Sequence, residues 1–142
     1  MTNDEMTRLI REHIPPALKL LDADIVKIDQ EAAEVEMSFN IGDEFCHSKV
    51  IVQGGYVSAM LDACMAHAAS THSGLTKSAS TLELKVSFFA ASNPGKFRGV
   101  GRVIKMGRSI AYTEASLFNE AEIEVARSSS TVKLIESKPR KG

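Results

Sequence analysis

The sequence predicts an α+β domain in which one buried helix lies against an antiparallel β-sheet. The stretch from Gln53 to Thr71 is apolar on nearly every side, which is typical of a helix that other structure covers. Two strand-like segments precede this helix and four follow it, with short turns that favour antiparallel pairing. One helix on a single sheet leaves apolar surface uncovered, so the same observations predict a dimer.

Length and charge limit the classes of function. The chain has 142 residues, enough for a core of its own, and we assign residues 1–142 to a single domain. Its 17 basic and 18 acidic residues nearly cancel, which does not favour nucleic acid as a partner. Cys46 and Cys64 do not make a disulfide framework, and no apolar run is long enough to cross a bilayer. We therefore expect a cytoplasmic protein with no membrane partner.

The first 21 residues predict a helical segment that closes one end of the core. Helical composition runs from Asp4 to Glu12, and Pro15 with Pro16 interrupts it before another short turn. Beyond residue 21 the apolar period becomes that of a strand. Two strands are predicted before the central helix, over 25–29 and 33–39, and an irregular segment over 41–52 leads into it.

Four more strands are predicted after the central helix. The clearest is the alternation of polar and apolar residues from Thr81 to Phe88. Turns that contain glycine or asparagine separate it from three later strands, over 97–106, 109–118 and 122–134. The charged residues 136–142 predict a flexible tail.

The central helix also carries the residues that point to chemistry. Asp62 lies in its middle, although aspartate is a poor helix former and costly to bury without a partner. Gly54 and Gly55 open the helix, so their N–H groups are free at the positive end of its dipole. Free amide donors can stabilise negative charge on a substrate oxygen, and a carboxylate can act as a base or a nucleophile. The glycines could instead only permit tight packing, and Asp62 could be a structural carboxylate held by Ser58 or by backbone.

The order of these motifs resembles the hotdog-fold acyl-CoA thioesterases, in particular the phenylacetate-degradation type. The resemblance rests on Gly54-Gly55, on Asp62 eight residues after the first glycine, and on the strand sequence over 81–89. The segments 101–111 and 125–127 also match that branch, and the likeness covers about residues 22–135. It implies a long helix wrapped by an antiparallel sheet. It also implies side-by-side dimers, often paired as a dimer of dimers, with active sites at the dimer interface.

The resemblance further implies hydrolysis of an acyl-CoA, with roles for single residues. Asp62 would be general base or nucleophile, Gly54 would donate its amide to the thioester oxygen, and Thr81 would hold water or substrate. Gln53 stands where this branch usually carries His, and His47 where it often has Asn or Asp, so the two could have exchanged duties. His47 could equally be an ordinary loop histidine, and Thr81 a residue that favours strands.

Other residues are implied in binding substrate and coenzyme A: Gly55, Ser58, Ala91, Ser92, Lys105, Gly107, Arg108 and Lys133. Solvated surface charge is the alternative for each basic residue. No metal or redox cofactor is needed, and His67 and His72 do not share one helical face, which argues against a metal site. Two other functions remain open: an acyl-CoA-binding module without catalysis, which Gln53 keeps open, and a dehydratase on the same fold.

Overall fold

A long helix lies against a six-stranded antiparallel sheet in the computed structural model, which describes residues 1–138. The order of strands across the sheet is β1-β2-β6-β7-β8-β5. The helices are α1 (Asn3–Glu12), α2 (Pro16–Leu20) and α3 (Gly54–His72). The strands of the large sheet are β1 (Asp24–Asp29), β2 (Glu34–Ile41), β5 (Lys77–Phe88), β6 (Gly95–Met106), β7 (Ile110–Phe118) and β8 (Glu124–Glu136). The predicted helix wrapped by an antiparallel sheet is therefore confirmed.

Two residues of the segment predicted as a tail, 136–142, take part in regular backbone structure. Glu136 is the last residue of β8, and the Ser137 N–H donates to the Thr76 carbonyl at 2.9 Å. Residues 139–142 lie outside the described part of the chain.

The segment predicted to be irregular, 41–52, contains short regular pieces. A 3-10 turn spans Asp43–Phe45, and β3 (Cys46–Ser48) pairs with β4 (Ile51–Val52) in a separate two-stranded sheet. These pieces are two or three residues long, too short to produce a recognisable apolar period. Phe45 is buried and packs edge-on against Tyr56 at 4.8 Å between ring centroids. This contact joins the segment to the first turn of α3.

Two glycines of β6 let the sheet approach α3 closely. A Cβ placed on Gly99 would overlap the Cys64 Sγ, and one placed on Gly101 would overlap the Cys64 backbone carbonyl. Cys64 is fully buried, and that burial raises the pKa of its thiol. The absence of side chains at these two positions thus fixes the distance between the helix and the middle of the sheet.

Strand β5 follows α3 in sequence but lies at the edge of the sheet, beside β8. Its register places Leu84 opposite Ser130 and Phe88 opposite Ala126, both buried, so Leu84 and Phe88 are on the helix side. Even so, Leu84 is 37% exposed and Phe88 54% exposed. Within the described chain, β5 therefore presents an unpaired edge with apolar side chains beside it.

Candidate active site

The first turn of α3 presents backbone amides, as the two glycines predict. The helix begins at Gly54, and in the described part of the chain no side-chain hydrogen bond from Gln53 caps it. The Gln53 N–H donates to the Phe45 carbonyl at 2.9 Å, which holds the helix start in place. The Ser58 hydroxyl donates to the Gly54 carbonyl at 2.8 Å. Ser58 is therefore not the donor to Asp62 that one form of the structural alternative named.

A cleft of about 410 Å³ opens beside this helix start. It has the size of a small-molecule site, and most of the residues that line it are apolar. The cleft brings together four of the predicted site residues, His47, Gly54, Ala91 and Ser92, with Ile51, Val52, Val57, Phe88, Phe89 and Ala90. The His47 Nδ1 lies 2.7 Å from the Ser48 Oγ, and Ser92 is buried with its carbonyl accepting from the Val52 N–H at 2.8 Å.

Cys46 adjoins this cleft without the properties of a nucleophile. Partial burial raises the pKa of its thiol, and the nearby carboxylates of Asp43 and Glu44 raise it further. A thiol must ionise to attack a carbonyl carbon, so this environment does not favour covalent catalysis by Cys46.

Asp62 and Thr81 form the second group of site residues. The Thr81 Oγ1 donates to the Asp62 Oδ1 at 2.7 Å, from β5 to the middle of α3. Thr81 pairs with the buried Val132, which places it on the helix side of the sheet, whereas Ser80 pairs with Lys133 on the opposite face. Asp62 is only half-buried, so one carboxylate oxygen is hydrogen-bonded while the group stays open to a ligand.

These two groups are separated along one helix. Gly54 and Asp62 are eight residues apart, which is a rise of about 12 Å and a rotation of roughly 80° about the helix axis. A carbonyl bonded to the Gly54 amide is therefore out of reach of a water held by Asp62 of the same chain. One protomer therefore carries an amide half of a site, at Gly54, and a carboxylate half, at Asp62 with Thr81. These two halves do not meet within the same chain.

The residues predicted for coenzyme A phosphates lie at the far end of the sheet. The Lys77 Nζ donates to the Arg108 carbonyl at 2.8 Å, which places the turn after β6 at the C-terminal end of α3. The helix is about 27 Å long, so this turn is roughly one helix length from Gly54. The Gly107 N–H donates to the Ile110 carbonyl at 2.8 Å, so the turn already uses that amide. Lys105 and Lys133 are exposed.

Proteins similar to this chain are known from family and structure comparisons. A sequence model of the thioesterase superfamily matches residues 51–126, slightly more than half of the chain. The chain belongs to the thioesterase superfamily.

Solved structures extend the likeness of this superfamily member to nearly the whole chain. A phenylacetic acid degradation-related protein of Ralstonia eutropha JMP134 is 30% identical, with a TM-score of 0.81 over 89% of this chain and 96% of that one. The E. coli PaaI protein from the phenylacetic acid degradation operon is 14% identical, with a TM-score of 0.82 over 94% of each chain. A Haemophilus influenzae thioesterase is 17% identical, with a TM-score of 0.81 over 100% of this chain and 96% of that one. No curated protein matches in sequence.

The predicted hotdog fold and the resemblance to the phenylacetate-degradation type are thus confirmed. At 14% and 17% identity the second and third structures show the fold alone. Membership of the thioesterase superfamily supports thioester hydrolysis as the reaction class.

Residues 1–138 contain no cluster of three or more His, Cys, Asp or Glu side chains suited to a metal ion. The His67 Nδ1 lies 2.8 Å from the Ala63 carbonyl, and the His72 Nδ1 lies 3.0 Å from the Gln30 carbonyl. No helix in the described part of the chain is long and apolar enough to cross a membrane.

Phe88 is a residue that the sequence analysis did not place in the site. Its ring lies against Gly54, where an added Cβ would be 3.2 Å from the Phe88 Cζ and 3.3 Å from its Cε1. The alternating pattern of β5 gave the face on which Phe88 lies, but it gave no indication of which helical residue the ring would meet. That contact depends on the position of α3 across the sheet, which a local pattern does not encode.

Proposed function

We propose that the protein hydrolyses an acyl-CoA thioester to a free acid and coenzyme A. The observation that carries the proposal is the 2.7 Å hydrogen bond from Thr81 to Asp62, on the same helix whose first turn presents uncapped amides. A carboxylate oriented by a hydroxyl and an amide donor at a helix start match the two requirements of the reaction.

The proposed reaction needs only these groups and water. The thioester oxygen accepts a hydrogen bond from the Gly54 N–H, which stabilises the negative charge that develops there. The Asp62 carboxylate removes a proton from water as the water oxygen bonds to the carbonyl carbon. When the intermediate collapses, the carbon–sulfur bond breaks and the leaving thiolate takes up the proton. Direct attack by Asp62 is the other version, and it would form an anhydride that water then hydrolyses.

Thr81 orients Asp62 in this scheme, and two polar groups assist the amide half. The Thr81 hydroxyl occupies one carboxylate oxygen, which leaves the second for water. Gln53 and His47 are exposed beside the helix start, so either side chain can hydrogen-bond the thioester or its water. No metal or redox cofactor takes part in the proposed reaction.

We propose that a two-fold dimer joins the two halves. If the unpaired β5 edges of two copies pair antiparallel about an axis at Lys85, and each strand keeps its irregular register between Thr81 and Glu83, Thr81 lies opposite the partner's Phe88. Because Phe88 contacts Gly54 and Thr81 contacts Asp62, this register brings the amide half of one protomer to the carboxylate half of the other. It also covers the apolar side chains beside the edge.

The same pairing gives the basic residues a role across the dimer. It brings the C-terminal end of each α3, with its neighbouring turn, towards the helix start of the other protomer. Lys105, Arg108 and Lys133 would then approach the coenzyme A phosphates bound to the other subunit, and Ser92 with Ala91 would line the pantetheine. We also propose that two such dimers associate as a dimer of dimers. The proposed location of this assembly is the cytoplasm.

Release of free thiol from a panel of acyl-CoAs tests the proposed function. We expect turnover by the wild type, and for Asp62→Asn a loss of at least about a hundredfold in kcat, because the amide cannot take a proton from water. Thermal unfolding and size-exclusion profiles should stay unchanged. Asp22→Asn, an exposed carboxylate remote from the cleft, is the matched control and should keep full activity.

Two outcomes would contradict the proposal. Full activity of Asp62→Asn would remove the carboxylate from the mechanism. Tight binding of acyl-CoA without thiol release by the wild type would instead support the binding module that Gln53 keeps open.

A further inference from the structure

Phe88 is a large apolar side chain that the core does not explain. It is the last residue of β5 and is 54% exposed, although its side chain lies on the helix side of the sheet. Exposing an aromatic ring to water loses the stabilisation that its burial would give. An apolar ring that is exposed beside a cleft is suited to contact a ligand that binds there.

The ring meets α3 at one particular residue. Three atoms at its tip, Cζ, Cε1 and Cε2, lie 3.2, 3.3 and 3.9 Å from the position of a Cβ on Gly54. A Cβ on the next residue, Gly55, would have nothing within 4 Å. The two glycines therefore differ: the space beside Gly54 is limited by Phe88, and the space beside Gly55 is open.

The Phe88 ring also lines the cleft that contains Gly54. The cleft has a volume of about 410 Å³, and the largest side chains that line it are those of Phe88 and Phe89. Phe89 is directed differently, since its ring packs with the Arg127 guanidinium carbon 5.8 Å from the ring centroid, on the outer face of the sheet. Of the two aromatic residues, Phe88 is the one that contacts the proposed oxyanion donor.

We propose that Phe88 is a specificity-determining residue that limits the bulk of the acyl group next to the thioester carbonyl. The inference rests on the proposed function, in which that carbonyl bonds to the Gly54 amide. A carbonyl bonded there has its neighbouring carbon close to the Phe88 ring. An unbranched chain passes the ring edge, whereas a branch at that carbon competes with the ring for the same space. The protein therefore prefers acyl groups that are unbranched beside the carbonyl.

Butyryl-CoA and isobutyryl-CoA provide the test, because they have the same atoms and differ only in that branch. The measured quantity is the ratio of kcat/KM for isobutyryl-CoA to that for butyryl-CoA. Phe88→Ala should raise this ratio about tenfold or more, the scale of discrimination that one misplaced methyl group produces. Phe88→Leu keeps a smaller branched side chain there, so its ratio should fall between those of the wild type and Phe88→Ala. Val86→Ala, on the same strand and packed against the core without lining the cleft, controls for general loosening of β5.

A binding measurement separates this proposal from the proposed hydrolysis. Uncleavable analogues of both thioesters, in which a methylene group separates sulfur from carbonyl, are titrated calorimetrically into each variant. If the wild type binds them but cleaves neither thioester, the hydrolase proposal fails and the ratio of Kd values decides the role of Phe88. A change of less than twofold in both ratios for Phe88→Ala, or an equal shift in Val86→Ala, overturns the role of Phe88. If the wild type neither binds the analogues nor cleaves either thioester, both proposals are overturned.

Discussion

At the scale of single residues, the hydrogen bond from Thr81 makes Asp62 a candidate catalytic group. A carboxylate on a mostly buried helix is costly unless a donor satisfies it, and the Thr81 hydroxyl is that donor. Both residue types could be read from the sequence, but the face of β5 on which Thr81 lies could not. Strict alternation places Thr81 on the face opposite Leu84 and Phe88, and the irregular register between Thr81 and Glu83 turns it to the helix side. The sequence also did not identify the partner of Asp62, because Ser58 was a local candidate one helical turn away. Only the packing of β5 on α3 distinguishes the two.

Replacing Thr81 tests whether the hydroxyl positions Asp62. Thr81→Val keeps the shape and removes the donor, so we expect kcat to fall about tenfold to a hundredfold with little change in KM, the effect of losing one hydrogen bond to a charged group. Thr81→Ser should restore most of the activity. Ser80→Ala, which faces the opposite side of the sheet, should behave as wild type. Equal losses in Thr81→Ser and Thr81→Val would show that the hydroxyl is not the relevant group.

At the scale of elements, the contact between α3 and β6 sets the geometry of the core. The sequence predicts α3 and the strands of the large sheet because each has enough residues to show its period. It does not predict β3 and β4, which are too short for one, or the place of β5 beside β8. The order of strands depends on contacts between distant parts of the chain, and a pattern of alternation specifies faces but not neighbours. The structure identifies Cys64 as the residue that Gly99 and Gly101 approach.

A double-mutant cycle measures this approach. Gly99→Ala should lower the free energy of unfolding by about 1–3 kcal/mol, because the new methyl group overlaps the Cys64 Sγ in a fully packed core. Cys64→Ala removes that sulfur, so the double variant should lose less stability than the two single variants together. The measurement is chemical denaturation of all four proteins. Strict additivity would mean that Gly99 and Cys64 do not limit each other.

At the scale of the whole molecule, the separation of Gly54 from Asp62 is the reason that the proposed chemistry requires a second copy. The distance of about 12 Å along α3 follows from helix geometry alone and could be read from the sequence. The surface that would bring in the partner could not, because it depends on β5 being an edge strand. Leu84 and Phe88 read as core residues in the sequence, and their exposure appears only once the strand order is known.

Co-expression of two inactive variants tests the divided site. Asp62→Asn removes the carboxylate. Gly54→Pro removes the amide hydrogen at the first helical position, where proline suits the backbone, and its ring also crowds Phe88. With a different tag on each variant, we expect tandem purification to yield mixed dimers that recover activity, since each contains one complete site. Mixed dimers in which both chains carry Asp62→Asn are the control and should stay inactive. No recovery in correctly folded mixed dimers would place both halves of the reaction within one chain.

The position of β5 has a consequence for how the chain is synthesised. Two strands, β6 and β7, separate β5 from its partner β8 in the chain, so β5 leaves the ribosome before the strand that it pairs with. During that interval its apolar residues have neither a neighbouring strand nor a second subunit, which is the condition under which nascent chains associate wrongly. Closing such a distant pair is also slow compared with forming a local hairpin. Chaperone dependence and yield in the cell should therefore respond to changes in the last strand more than to changes in the first.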